Sequence, residues 1–294
     1  MRRGALIVLL SGLLGLLPVI SGCGWTNTRR PSLKDVPTPE QAAQAQAFSE
    51  RAQEAVDRGD LELAKVELTR LVAISPRSPE GHQRLGRVFE QQNRVDEAEA
   101  CYSRALQLDP DYVGALIGMG RVEVLRGNPQ SALKRFETAI EIEPHEATAH
   151  LALGAVFESL GRTGEAQAAY FRSLENDPLL GEASRRIAAL QIARNEADQA
   201  LARLDQTIEL APGDAEALLL RGRAHLALRH ITPAIVDLRA AAVRLPNRPD
   251  VHFNLALALE AASQPGDALK SAEQALQLAP DYADARDLSQ RLRR

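Results

Sequence analysis

Seven prolines, Pro76, Pro110, Pro144, Pro178, Pro212, Pro246 and Pro280, recur every 34 residues without a slip. The chain carries 16 prolines in 294 residues, close to the ordinary usage of about 5%, and prolines scattered at that density do not fall into one register. A fixed period of this length marks an array in which each repeat is one supersecondary unit. Such an array has no single core scaled to chain length, because each unit packs only on its neighbours.

Other positions keep the same register. Twelve residues before each proline stands an alanine: Ala64, Ala98, Ala132, Ala166, Ala200, Ala234 and Ala268. Twenty-four residues before it the occupant is Gly or Ala: Ala52, Gly86, Gly120, Gly154, Ala188, Gly222 and Ala256. Two slots that demand small side chains predict helices crossing at close range, where added bulk would force the backbones apart. Seventeen residues before the proline, Gly59, Asn93, Gly127, Gly161 and Asn195 are residues that accept a positive φ after a helix, and the slot then lapses to Arg229 and Ser263. Leu85, Val88 and Phe89 before Asn93, and Ala98, Tyr102, Ala105 and Leu106 after it, recur at helical spacing. Each unit therefore reads as helix, turn, helix, stop, the proline disfavouring helix in the residue before it.

This pattern resembles the tetratricopeptide repeat family, with a small residue midway along helix A, an alanine early in helix B and a closing proline. The units fall at 45–78, 79–112, 113–146, 147–180, 181–214, 215–248 and 249–282, and residues 283–294 follow as a capping helix with Ala285, Leu288 and Leu292 on one face. The resemblance implies an all-α fold: a right-handed superhelical solenoid of seven helix-turn-helix repeats, its concave groove lined by the A helices. Unit five departs most from the pattern, with Ser184 and Gln191 where bulky residues are expected, and is expected to pack loosely.

The first 44 residues lack the period. Arg2 and Arg3 precede an apolar run from Ala5 to Ile20, the layout of a secretory signal, and the run is shorter than the roughly 20 residues that span a bilayer. Ile20-Ser21-Gly22-Cys23 resembles the bacterial lipobox, which implies removal of residues 1–22 and lipid attachment at Cys23. Two or three acyl chains would anchor the protein stably where one alone is marginal. Gly24 follows in place of the aspartate that resembles an inner-membrane retention signal, so an outer membrane facing the periplasm is the expected location in a Gram-negative cell. Trp25 to Pro39, with Pro31, Pro37 and Pro39, reads as a tether whose extended reach is at most roughly 45 Å. Thr38, Pro39 and Gln41 then predict an N-cap, a first-turn proline and a capping-box partner.

Composition narrows the function. With Cys23 lipidated, one cysteine, Cys101, is left and there is no disulfide framework. Loss of Arg2 and Arg3 leaves 33 basic against 39 acidic side chains, which is not the footprint of a nucleic-acid binder. His82, His150 and His252 share one slot, but equivalent slots in different repeats lie too far apart for a shared metal with nitrogens at about 2 Å. The expected role of these histidines is that of planar substitutes for an aromatic side chain. No phosphate loop, nucleophile elbow or zinc-type cysteine pairing is present, so no catalytic residue, metal or cofactor is expected.

Function is then expected in the groove. In the family the contacting residues project from helix A, and the corresponding slots here hold Arg84, Arg87, Ile117, Arg121, Leu151, Arg185, Arg186, Leu219, Arg223, Phe253 and Asn254. Arginine forks beside aliphatic side chains suit peptide segments with carboxylates and apolar anchors. The chain has 31 arginines and 4 lysines, so arginine at any one slot carries little information by itself, and the lysine and asparagine of the chaperone-binding carboxylate clamp are absent. The resemblance implies a non-catalytic scaffold or adaptor for protein partners in the envelope: pili, secretion channels, outer-membrane proteins or cell-wall complexes. The alternative is a periplasmic chaperone-like binder of exported polypeptides. Oligomeric state is left open.

Overall fold

The computed structural model describes residues 38–294; the signal-like run, Cys23 and most of the tether lie outside the described residues. Within these, the chain forms fifteen α-helices and no strand. Seven antiparallel pairs follow in order: α1 (Pro39–Asp57) with α2 (Leu61–Ile74), α3 (Pro79–Gln91) with α4 (Val95–Leu108), α5 (Val113–Leu125) with α6 (Pro129–Ile142), and α7 (Ala147–Ser159) with α8 (Thr163–Asn176). Then come α9 (Gly181–Ala193) with α10 (Ala197–Leu210), α11 (Ala215–Ala227) with α12 (Ile231–Arg244), α13 (Pro249–Ala261) with α14 (Pro265–Leu278), and the terminal α15 (Ala283–Leu292). Each even helix packs on the odd helix before and after it, which is the connectivity of a solenoid. Odd helices also meet the next odd helix, as α3 meets α5 and α9 meets α11, and no even pair packs comparably. The odd helices therefore line the tighter, inner face.

Local chemistry starts and stops these helices. Thr38 caps α1 with the expected box: its Oγ1 accepts from the Gln41 amide at 3.2 Å, and Gln41 Oε1 accepts from the Thr38 amide at 2.9 Å. Asp60, Ser78 and Asp214 cap α2, α3 and α11 through their side chains. The turn between paired helices has a positive φ in all seven units: Gly59, Asn93, Gly127, Gly161 and Asn195, and also Arg229 at +61° and Ser263 at +58°. The residue type lapses in the last two units while the conformation does not. The paired helices on either side hold the backbone in the left-handed region against the preference of arginine and serine.

The small slots show why they are small. All seven alanines twelve residues before the prolines are fully buried. At the other slot, a Cβ added to Gly86 would lie 2.8 Å from the Tyr102 ring, one added to Gly154 would lie 2.6 Å from the Tyr170 ring, and one added to Gly120 would collide with Phe136. Glycine stands where the helix B residue sixteen positions on is aromatic. Alanine stands in units one, five and seven, where that residue is Leu68, Leu204 or Ala272 and shares a buried cluster with it. Unit six keeps Gly222, whose added Cβ would lie 2.6 Å from Leu238 Cγ.

Unit five is polar inside. Ser184 and Gln191 are buried; the Ser184 hydroxyl lies 2.7 Å from the Thr207 hydroxyl, and Gln191 Nε2 donates to Gln199 Oε1 at 3.2 Å. At the C-terminal end, α15 buries Ala285, Leu288 and also Ser289 against unit seven, with Leu292 half-buried beside them. No described helix is long and apolar enough to cross a membrane.

Candidate protein-binding groove

The arginines expected to line the groove fall into two groups. Arg121 is committed to the scaffold: its Nε and Nη2 donate to the two carboxylate oxygens of Glu90 at 2.7 and 3.1 Å, and the Tyr102 hydroxyl donates to the same carboxylate at 2.7 Å. Burial works against the charge, but the Glu90 hydrogen bonds and carboxylate more than offset it and hold the Arg121 guanidinium above its ordinary pKa. Burial, then the Glu90 charge, push the Tyr102 phenol well above the usual tyrosine range. The triad staples units two and three. A second Tyr–Glu pair, Tyr170 to Glu158 at 2.6 Å, repeats the arrangement in unit four.

Arg84 reaches back to unit one, donating to the Ser49 hydroxyl at 2.5 Å, the Ser49 carbonyl at 3.1 Å and Gln53 Oε1 at 3.5 Å. Arg185 pairs with Asp214, the residue that closes unit five and caps α11. Arg186 sits looser, 3.8 Å from Glu158 and 3.6 Å from Glu182, with nearly half its side chain exposed. Arg87 and Arg223 are exposed, and among the described residues neither forms an ion pair.

The apolar members also divide. Ile117 and Leu219 are buried in the inter-helix clusters at 4% and 2% exposure. They are packing residues, because the odd helices are covered on both sides by the helices before and after them. Leu151 is half-buried against the Tyr170 and Ile187 cluster. Phe253 stacks on Tyr282 with ring centroids 5.0 Å apart, and Asn254 Nδ2 donates to the Asp250 carbonyl at 2.7 Å.

Two open clefts gather the accessible members on the inner face. One, of about 270 Å³, lies between α1 and α3 and is lined by Gln53, Val56, Glu80, Arg84, Arg87, Val88 and Gln91, with Leu68 at its base. The other, of about 370 Å³, lies between α9 and α11 and is lined by Glu182, Arg185, Arg186, Ala189, Glu216 and Leu220. Each sets guanidinium groups around an apolar floor, a surface that can accept a carboxylate together with an aliphatic side chain.

The shared histidine slot serves the backbone. His82, His150 and His252 place Nε2 at 3.0, 2.9 and 2.8 Å from the carbonyls of Pro76, Pro144 and Pro246, each six residues earlier. Arg286 occupies the same register in α15 and donates to the Pro280 carbonyl at 2.5 Å. These side chains close the inter-unit turn, a more specific role than filling an aromatic position. Cys101 is partly buried, and burial together with the Glu97 charge raises its thiol pKa to about 11, which leaves it little thiolate near neutral pH. Among the described residues, no group of three or more His, Cys, Asp or Glu is placed to hold a metal.

Tetratricopeptide repeat models match residues 79–112, 117–179 and 186–249, together more than half of the chain. The chain belongs to the tetratricopeptide repeat family. This repeat protein is 25% identical over 201 residues to human protein O-mannosyl-transferase TMTC1 and 25% identical over 181 residues to anaphase-promoting complex subunit 3 of Schizosaccharomyces pombe. These matches cover 67% and 62% of the chain but only 23% and 27% of the relatives, so it spans about a quarter of their length. Among solved structures, the Cut9–Hcn1 assembly superposes with a TM-score of 0.71 at 19% identity, covering 86% of this chain and 48% of that one. Pseudomonas aeruginosa pilF superposes at 0.66 with 15% identity, covering 72% and 97%. YrrB, described as a protein with an unusual peptide-binding site, superposes at 0.52 with 18% identity, covering 64% and 97%. At these identities the structures establish a common fold. The repeats are of a kind that serves protein interaction, and the fold is typically a non-catalytic scaffold.

Proposed function

We propose that this chain is a membrane-tethered, non-catalytic scaffold that holds an extended segment of a protein partner along its inner face in the assembly of a bacterial envelope complex. The observation that carries the reading is the pair of arginine-rimmed clefts on the odd helices, with Arg87 exposed and unpaired in the first and Arg186 loosely held in the second. An unpaired arginine at the rim has its five donors available for a partner, whereas Arg121 does not. Tethering and location rest on the N-terminal sequence, with Cys23 as the lipid-bearing residue and the tether setting the reach from the bilayer.

Two measurements test the two halves separately. Arg87→Glu combined with Arg186→Glu, compared with wild type in crosslinked affinity purification from native membranes, should lose a defined partner while helicity is retained; an unchanged partner set would move binding to another surface. Cys23→Ala should shift the protein from the membrane fraction to the soluble fraction and abolish labelling by radioactive palmitate; unchanged attachment and mobility would remove the lipid anchor from the account.

A further inference from the structure

In α10 of unit five one slot of the repeat reverses the charge that two other units bury there. Nine residues before the closing proline, units one and six bury an acid: Glu67 at 3% and Asp237 at 4% exposure. Each is neutralised by the arginine sixteen residues earlier, Arg51 at 2.9 Å and Arg221 at 2.8 Å. In unit five the same slot holds Arg203, and the residue sixteen earlier is the buried Ile187. Unit three also has an arginine there, Arg135, but that one is exposed. Arg203 is half-buried, and its Nε–H, itself buried, has no hydrogen-bond partner. The guanidinium cannot shed its charge, so its burial is an uncompensated cost.

Its surroundings point to a ligand. The guanidinium carbon lies 5.1 Å from the centroid of Phe171, a ring left 36% exposed, so one face of the fork lies against the ring, and the side chain lines an open cleft. Gln191, 4% exposed, lines the same cleft and carries a buried Oε1 without a donor. The cleft, of about 350 Å³, opens between α8, α9 and α10. Arg203 and Gln206 also line an adjoining depression bounded by Leu179 and Leu210, which are 72% and 64% exposed. The site thus offers a cationic fork, a hydrogen-bond acceptor and an apolar ring.

We propose that this cleft binds the C-terminal residue of a partner polypeptide. One residue type supplies all three complements from a single Cα: its free carboxylate pairs with Arg203, its amide N–H donates to Gln191 Oε1, and its aliphatic side chain packs on Phe171. Leu179 and Leu210 then receive the residues before it. This site is separate from the inner clefts, since none of Phe171, Gln191, Arg203 and Gln206 lines either of them.

Fluorescence polarisation with the full protein and a dye-labelled Gly-Ser-Gly-Ser-Leu peptide tests it, using the free acid, the C-terminal amide and a version ending in free-acid Asp. The free-acid Leu peptide should bind about tenfold more tightly than the amide. Arg203→Met should abolish the difference and also raise the melting temperature, because it removes an unpaired half-buried cation, and Gln191→Leu should weaken the free acid. Arg87→Gln, on the inner face, should change neither. Equal binding of acid and amide, absence of binding at about 1 mM peptide, preference for the Asp peptide, loss on Arg87→Gln, or a fall in melting temperature with Arg203→Met would each overturn the proposal.

Discussion

Gly120 and Phe136 provide a quantitative test of the packing argument. A Cβ at Gly120 would stand 2.7 Å from Phe136 Cζ and 2.9 Å from Cδ1, and closer still to Cε1, inside the distance real Cβ atoms keep. Phe136 is 1% exposed and cannot swing into solvent. Gly120→Ala therefore costs about 1 to 3 kcal/mol of overpacking, partly offset by roughly 1 kcal/mol of helix propensity, for a net loss of about 0 to 2 kcal/mol. Phe136→Leu alone removes ring volume and costs about 1 kcal/mol. The double variant rebuilds in unit three the Ala188 and Leu204 pairing that unit five uses, so the clash vanishes and the two changes couple favourably by about 1 to 3 kcal/mol. Urea denaturation followed by circular dichroism gives the four free energies. Amide exchange in α5 and α6 localises the effect, which matters in a repeat array whose units can open separately. Additivity within about 0.5 kcal/mol would refute the idea that the glycine is there for the ring.

Other consequences are open to the same kinds of measurement. Arg229→Gly and Ser263→Gly should each raise stability by about 0.5 to 1 kcal/mol, since relief of left-handed strain of roughly 1 to 2 kcal/mol exceeds the added unfolded-state entropy; a fall in melting temperature would contradict the imposed conformation. Burial, with help from Arg221 and His230 and against Asp237 and Asp205, holds the His225 pKa below its ordinary value. The unfolded chain then binds more protons in this range, so its contribution to stability is full above about pH 6.5 and declines as pH falls through that value; His225→Phe should flatten this dependence in pH-resolved melts. The Cys101 thiol should react slowly with iodoacetamide at pH 8 and accelerate only toward pH 11, and fast reaction at pH 8 would place it outside the buried position described.

The proline ladder and the two small slots located every helix pair because they report backbone geometry, which a period fixes directly. They could not sort the arginines. The carboxylates near Arg121, Arg185 and Arg186 sit about thirty residues away in the chain, and only the folded stack brings Glu90, Asp214 and Glu158 beside them. Part of that pairing was nevertheless written in the register. Glu90 and Tyr102 stand twelve apart, as do Glu158 and Tyr170, and where the ring is Phe136 the partner position holds Val124 instead. Ile117 and Leu219 were drawn into the groove by their slots and into the core by helices that are covered on both sides. The turn slot misled in the opposite way: Arg229 and Ser263 looked like its end, yet the helix pairs around them impose the same positive φ.

Site-specific photocrosslinking in cells that express the full chain tests the central claim, that the inner face receives a protein partner. A photoreactive residue at Arg87 or Gln91 in the first cleft, or at Arg186 in the second, should capture the same defined protein, and one at Lys134 on the outer helix α6 should not. Capture from Lys134 with none from the three inner positions would contradict it.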